Sequence, residues 1–141
     1  MEKGYRLLGV DFGLKRVGLA VCDCQFILAT PLPVVYTHSM RESIDKVAAL
    51  AKEKDVGGIV VGLPLNLDGS ESLQSGRVRA FAKNLSKVAG LPVELIDERL
   101  STIEADGLLE SAGVKKSERH KFIDSAAATV ILQSYIDSKR K

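Results

Sequence analysis

The sequence predicts an α/β domain in which one mixed sheet is flanked by helices. Three observations carry that reading. Two apolar stretches near the N terminus are joined by a short glycine-containing connection, as in a strand meander. Farther along, segments with apolar residues at helical spacing alternate with short runs of strand-forming residues. No linker, repeat or low-complexity tract divides the 141 residues, a length suited to one compact core, so residues 1–141 are expected to form a single domain.

Residues 6–10 read as the first strand. Asp11-Phe12-Gly13-Leu14-Lys15-Arg16 then interrupts the apolar pattern before residues 17–22 resume it, giving a hairpin. Gly13 is expected to supply a backbone conformation closed to most residues, and Gly18 to mark a bulge or close approach. Extended structure continues through residues 26–29 and 34–36, where Pro31 and Pro33 favour an irregular edge strand. Ser39-Met40-Arg41-Glu42 has capping-box spacing, and Ile44, Val47, Ala48 and Ala51 form the apolar stripe of the helix that follows.

Gly57-Gly58 releases the chain into residues 59–64, an uncharged run expected to be a central strand covered on both faces. After Asn66-Leu67-Asp68-Gly69-Ser70, residues Val78, Phe81, Ala82, Leu85 and Val88 recur at helical spacing, and Gly90-Leu91-Pro92 ends that helix. Residues 93–96 form the next strand, followed by a second capping-box pattern at Ser101-Thr102-Ile103-Glu104. A final helix is expected over residues 117–138, packing through Ile123, Ala126, Ala127, Val130 and Ile131.

Composition excludes little chemistry. Twenty Lys and Arg nearly balance eighteen Asp and Glu, a net charge of +2 that fits an enzyme or a nucleic-acid binder equally. From Lys115 onward seven basic residues face three acidic ones, a local excess that suits either a solvated helix or phosphate contact. Without Trp, and with few other aromatics, a platform that stacks several bases in a row is disfavoured. Cys22 and Cys24 are too few for a structural zinc site and, as strand neighbours on one face, poorly placed for a disulfide. They read as reduced thiols of a cytoplasmic protein. No apolar run approaches the roughly 20 residues that cross a bilayer.

The acids stand out. Asp11 follows one apolar strand, Asp97-Glu98 follows another, and Asp124 sits among small and apolar residues of the last helix. One reading gives Asp11 and Asp97 to turn hydrogen bonds and Glu98 to solvent or an ion pair. The other gathers carboxylates from separate elements around a divalent cation, which prefers oxygen ligands and stabilises phosphate charge. Strand alternation puts Asp97 and Glu98 on opposite faces, so they are not equivalent ligands. Asp124 shares a helix side with Ala127, Ala128 and Ile131, where an uncompensated buried carboxylate is costly.

Lys15 and Arg16 at the hairpin are candidate phosphate contacts, and Arg99 either orients Glu98 or holds phosphate. Asn66 and Asp68 lie in a strand-to-helix loop, where local turn bonding competes with a catalytic role. His120 stands four residues before Asp124, a spacing that suits helix stabilisation better than a general-base pair. Ser125 lacks a matching His and acid arrangement, and no Walker or dinucleotide-binding glycine motif is present.

The segments Leu8-Gly9-Val10-Asp11-Phe12-Gly13 through Lys15-Arg16-Val17-Gly18-Leu19-Ala20, Gly62-Leu63-Pro64 through Asp68-Gly69, Asp97-Glu98-Arg99-Leu100-Ser101-Thr102 and Asp124-Ser125-Ala126 resemble the YqgF/RuvX family across nearly the whole chain. That resemblance implies an RNase H-like fold: a five-stranded mixed sheet with its first three strands antiparallel and flanking helices. It further implies a nuclease related to Holliday-junction resolvases that processes precursor 16S ribosomal RNA, with ribosomal particles as further partners. Asp11, Glu98 and Asp124 match the family's catalytic acids, which implies Mg²⁺ or Mn²⁺ bound by the same three residues. Three matching acids, against the four of the wider resolvase pattern, leave water, Asp68, His120 or substrate phosphate to complete the metal shell. A DNA four-way junction is the alternative substrate, and a non-catalytic ribosome or nucleic-acid-binding module is the alternative class. Either a monomer or a homodimer is compatible with one active centre per chain.

Overall fold

The computed structural model describes residues 1, 3–98 and 123–140, with side chains from Ser125 onward in the last segment. Its five-stranded sheet contains β1 (Leu7–Phe12), β2 (Arg16–Cys22), β3 (Ala29–Tyr36), β4 (Gly58–Leu63) and β5 (Val93–Asp97). The spatial order is β3-β2-β1-β4-β5. The first three strands pair antiparallel, whereas β4 runs parallel to both β1 and β5, as expected for the mixed sheet. Helices α1 (Met40–Glu53) and α2 (Leu73–Ala89) cover one face and α3 (Ile123–Arg140) the other.

Strand alternation sorts the core into these two layers. Leu8, Val10, Phe12, Ile59, Val61 and Leu63 face α1 and α2 together with Val47, Phe81 and Leu85. Leu7 and Val60 instead meet Ala128, Ile131, Leu132 and Ile136 of α3. All six residues of β4 are buried, as a strand covered on both faces must be. Of the residues expected to pack α3, Ala126, Val130 and Ile131 are buried, while Ala127 is only half-buried. The expected start of that helix, the capping pattern at Ser101 and the side chain of Ile123 lie outside the described residues.

Several boundaries differ from the sequence reading, each for a local reason. β1 extends through Asp11 and Phe12 because these pair with Gly18 and Val17, and because Phe12 stacks on Phe81 with ring centroids 4.4 Å apart. The hairpin is therefore tighter than expected. Gly13 does not adopt a positive φ; its role is space, since a Cβ there would stand 2.6 Å from the Arg16 carbonyl oxygen. Gly18 does mark a bulge, the β2–β3 register shifting between Val17 and Leu19.

Residues 26–28 form a turn instead of a strand. The Asp23 carboxylate accepts from the Gln25, Ile27 and Leu28 amides, and Phe26 is held at φ 58°. β3 then runs uninterrupted through Pro31 and Pro33, at the sheet edge where proline is tolerated. At α1, Ser39 Oγ caps the Glu42 amide, but the Glu42 carboxylate accepts from His38 N in place of the expected Ser39 N. α2 begins well before Val78 because Ser72 and Ser75 form a reciprocal capping box.

Candidate active site

Asp11 is locked into the sheet by its pairing with Gly18, which fixes its face. It lies on the α3 side, two residues after Gly9 and opposite to the side of Val10 and Phe12. Glu98 reaches the same side from β5. Val93 and Leu95 pack toward α2 and Ile96 toward α3, so Glu98 follows Ile96 onto the α3 face while Asp97 takes the other. The Glu98 amide donates to the Leu63 carbonyl at 2.9 Å, prolonging the parallel ladder one step past β5.

Between these two strands lies Gly62 of β4. A Cβ at Gly62 would stand 2.7 Å from Glu98 Oε2 and 2.5 Å from Ile131 Cδ1. The missing side chain is what lets the Glu98 carboxyl fold inward across β4 and hydrogen-bond to Asp11. Burial, followed by the Asp11 charge and that hydrogen bond, pushes the Glu98 carboxyl up to about 9. A hydrogen bond between two carboxyl groups needs a proton, which this pair holds between them.

The same crowding positions α3. A Cβ on Gly9 would lie 2.8 Å from Leu132 Cβ and 3.0 Å from the Ala128 carbonyl, so the helix rests almost directly on β1. Ser125 Oγ accepts from the Leu19 amide at 3.1 Å beside the Gly18 bulge. One helical turn rises about 5.4 Å and two strand residues about 6.6 Å. Moving back along α3 from Leu132 and Ala128 over Gly9 therefore leads to Ser125 beside Leu19, the partner of Val10 in β1. The Asp124 side chain lies outside the described residues.

Asp11 opens into a cleft of about 360 Å³, walled by the hairpin turn from Phe12 to Arg16 and, across from it, by Gln74. Lys15 and Arg16 are exposed on this wall, and the Lys15 carbonyl is tied down by the Thr37 amide at 2.9 Å. Gln74 Nε2 donates to the Phe12 carbonyl at 3.4 Å, joining α2 to the strand that carries Asp11.

Gln74 escaped the sequence reading as a site residue, and Gly62, which opens the segment running to Gly69 in that reading, was not seen to make room for Glu98. The serine pair that starts α2 early was the available signal for the first. Asn66 and Asp68 brace their own loop: Asn66 Nδ2 donates to Ser70 Oγ at 2.9 Å, and Asp68 Oδ1 accepts from the Ser70 amide at 2.9 Å. Asp97 lies on the opposite face from Glu98. Arg99 and His120 lie outside the described residues. Ser125 is buried with its hydroxyl committed to Leu19 and its carbonyl to Thr129 Oγ1, a structural use.

Among the described residues no three His, Cys, Asp or Glu side chains gather, so Asp11 and Glu98 form a two-carboxylate site there. Their chemistry fits a hard divalent cation. Two half-buried carboxyl groups in contact need a positive partner to ionise together, and a cation with oxygen ligands supplies it.

The sequence profile described as "RuvX: Holliday junction resolvase" matches residues 5–138. The chain belongs to the RuvX family. Relatives in the family include a "Putative pre-16S rRNA nuclease" of Anaeromyxobacter sp., 45% identical over 95% of this chain and 98% of its own length. A protein of the same description from Syntrophus aciditrophicus is 42% identical over 94% of this chain and 89% of its own. Among solved structures, T. thermophilus RuvC in complex with a Holliday junction substrate superposes with a TM-score of 0.66 over 95% of this chain and 94% of that one. Identity to it is 18%, so this likeness concerns the RNase H-like fold that RuvX and RuvC share.

Proposed function

We propose that this RuvX-family chain is a metal-dependent endonuclease that hydrolyses phosphodiester bonds in precursor 16S ribosomal RNA in the cytoplasm, residues 1–141 acting as a single nuclease domain. The observation that carries the reading is the Asp11–Glu98 pair, whose Asp11 lines a cleft shared with Lys15 and Arg16, together with the description its relatives bear. Asp11, Glu98 and Asp124 are the proposed catalytic acids and the ligands of Mg²⁺ or Mn²⁺. When bound, such an ion polarises the phosphoryl group and lowers the pKa of water.

The chain's own residues supply the rest. Glu98 releases to solvent the proton it shares with Asp11, and the two carboxylates then present oxygens on one face from either side of β4. Lys15 and Arg16 meet phosphate oxygens at the cleft wall, fixing the register of the scissile bond. Gln74 holds the Phe12 carbonyl and so keeps the Asp11 strand end from shifting as substrate enters. The tight sheet geometry limits reorganisation during reaction.

The family description favours a second substrate, a four-way DNA junction. Purified wild type and Asp11→Asn, Glu98→Gln and Asp124→Asn variants, each incubated with precursor 16S RNA and with a four-way DNA junction, with and without Mg²⁺ or Mn²⁺, test both. The expected result is metal-dependent RNA cleavage by wild type that each folded variant loses. Paired junction cuts with intact RNA would move the assignment to DNA. Binding without cleavage of either substrate would leave a non-catalytic module.

A further inference from the structure

The two helices on one face of the sheet carry very different charge. α1 contains Arg41, Lys46 and Lys52 against Glu42, Asp45 and Glu53, and it pairs Arg41 with Asp45 and Lys46 with Glu42. α2 contains Arg77, Arg79, Lys83 and Lys87 and no acidic residue at all. All four of its cations are exposed. Arg79, Lys83 and Lys87 follow one another at intervals of four, a spacing that stacks side chains on one helix side about 6 Å apart.

That row borders a groove of about 490 Å³ whose other wall is Val93 and Leu95 of β5, the last strand of the sheet. Glu71 engages Arg79 at 2.6 Å, whereas no ion pair joins Lys83 or Lys87 to a carboxylate among the described residues. Two exposed lysines without carboxylate partners among the described residues, one helical turn apart along a groove, suit contact with successive phosphates of a nucleic-acid strand. The row also has a direction. α2 starts at the cleft, where Gln74 touches the Asp11 strand, and Lys87 stands thirteen residues, or about 20 Å, farther along the axis.

We propose that the α2–β5 groove is a second nucleic-acid contact, in which Lys83 and Lys87 hold phosphates of the substrate arm that extends from the cleft. This rests on the nuclease reading for the identity of the substrate. It extends that reading by giving the protein a footprint larger than the hairpin turn. The lysines act by charge and carry no sequence preference.

The test is equilibrium binding of precursor 16S RNA, followed by fluorescence anisotropy in EDTA so that turnover plays no part. Lys83→Ala/Lys87→Ala is compared with wild type across a salt series, and Lys46→Ala/Lys52→Ala on α1 serves as the charge-matched control. Loss of two phosphate contacts lowers the slope of log affinity against log salt by about 2, with affinity down roughly tenfold or more near 0.1 M salt. The α1 control is expected to keep the wild-type slope. An unchanged slope and affinity in the α2 variant, with its circular dichroism intact, overturns the proposal. An equal drop in the α1 control also overturns it, because net charge alone then explains the effect. Failure of the nuclease reading shows separately, as absent cleavage by wild type with Mg²⁺ or Mn²⁺.

Discussion

The carboxyl of Glu98 occupies the space where a side chain at Gly62 would begin: a Cβ there would lie 2.7 Å from Glu98 Oε2 and 3.0 Å from its Cδ. Both contacts involve the far end of a movable side chain, as does the 2.5 Å approach to Ile131 Cδ1. Gly62→Ala is therefore expected to fold, at a cost of about 1–3 kcal/mol for overpacking, while turning Glu98 away from Asp11. A displacement near 1 Å at a catalytic group costs on the order of a hundredfold in rate. Chemical denaturation and cleavage assays on the same preparation check this; wild-type turnover in a folded variant would remove Gly62 from the site.

Glu98 also makes stability depend on pH. Its carboxyl titrates near 4.5 in the unfolded chain and is pushed up to about 9 in the folded one, by burial first and by Asp11 second. The folded protein thus retains a proton that the unfolded chain gives up. The contribution of this group is fully present below pH 4.5 and is lost as pH rises from there through about 9. Melting temperatures measured in EDTA across that range should fall more steeply for wild type than for Glu98→Gln. Parallel curves would show that Glu98 is not held protonated.

Mg²⁺ or Mn²⁺ should reverse that loss. A cation that binds only the folded state stabilises it by mass action, and here it takes the place of the proton held between Asp11 and Glu98. At pH 8 the ion is expected to raise the melting temperature of wild type and to do so much less in Asp11→Asn or Glu98→Gln. Equal shifts in all three proteins would place the ion elsewhere.

Ser125→Ala separates structure from chemistry. It removes the buried acceptor of the Leu19 amide at the β2 bulge, with an expected cost of about 1–3 kcal/mol. Activity at low temperature, corrected for the folded fraction, should persist within severalfold. Complete loss of turnover in a folded protein would instead assign the hydroxyl to the reaction.

Lys15→Ala is expected to act on substrate capture. Lys15 is exposed on the cleft wall, so its loss should raise KM severalfold with less effect on kcat and should flatten the salt dependence of KM. A fall in kcat alone would contradict a role confined to phosphate contact.

Much of the architecture could be read from local patterns. The fully apolar run at β4 signalled a strand buried on both faces, and Gly18 signalled the bulge. The opposite facing of Asp97 and Glu98 followed from strand alternation alone. What escaped depended on partners distant in sequence. β1 runs on to Phe12 because Phe81 stacks on it, and residues 26–28 leave the strand because Asp23 gathers their amides. Gly62 opens one of the family segments, but the room it makes becomes visible only when Glu98 and Ile131, far along the chain, are brought over it. Gln74 became visible only once the Ser72–Ser75 box moved the start of α2 toward the cleft.

Pro31 and Pro33 have an effect that reaches beyond their own strand. They stand two apart on β3, an outermost strand of the sheet, and neither has an amide hydrogen to donate. A further strand arriving along that rim would find gaps in the row of donors it needs, so the fold discourages growth of the sheet into a ribbon of stacked copies. The two residues that make β3 look irregular on paper thus guard the molecule against self-templating at that rim.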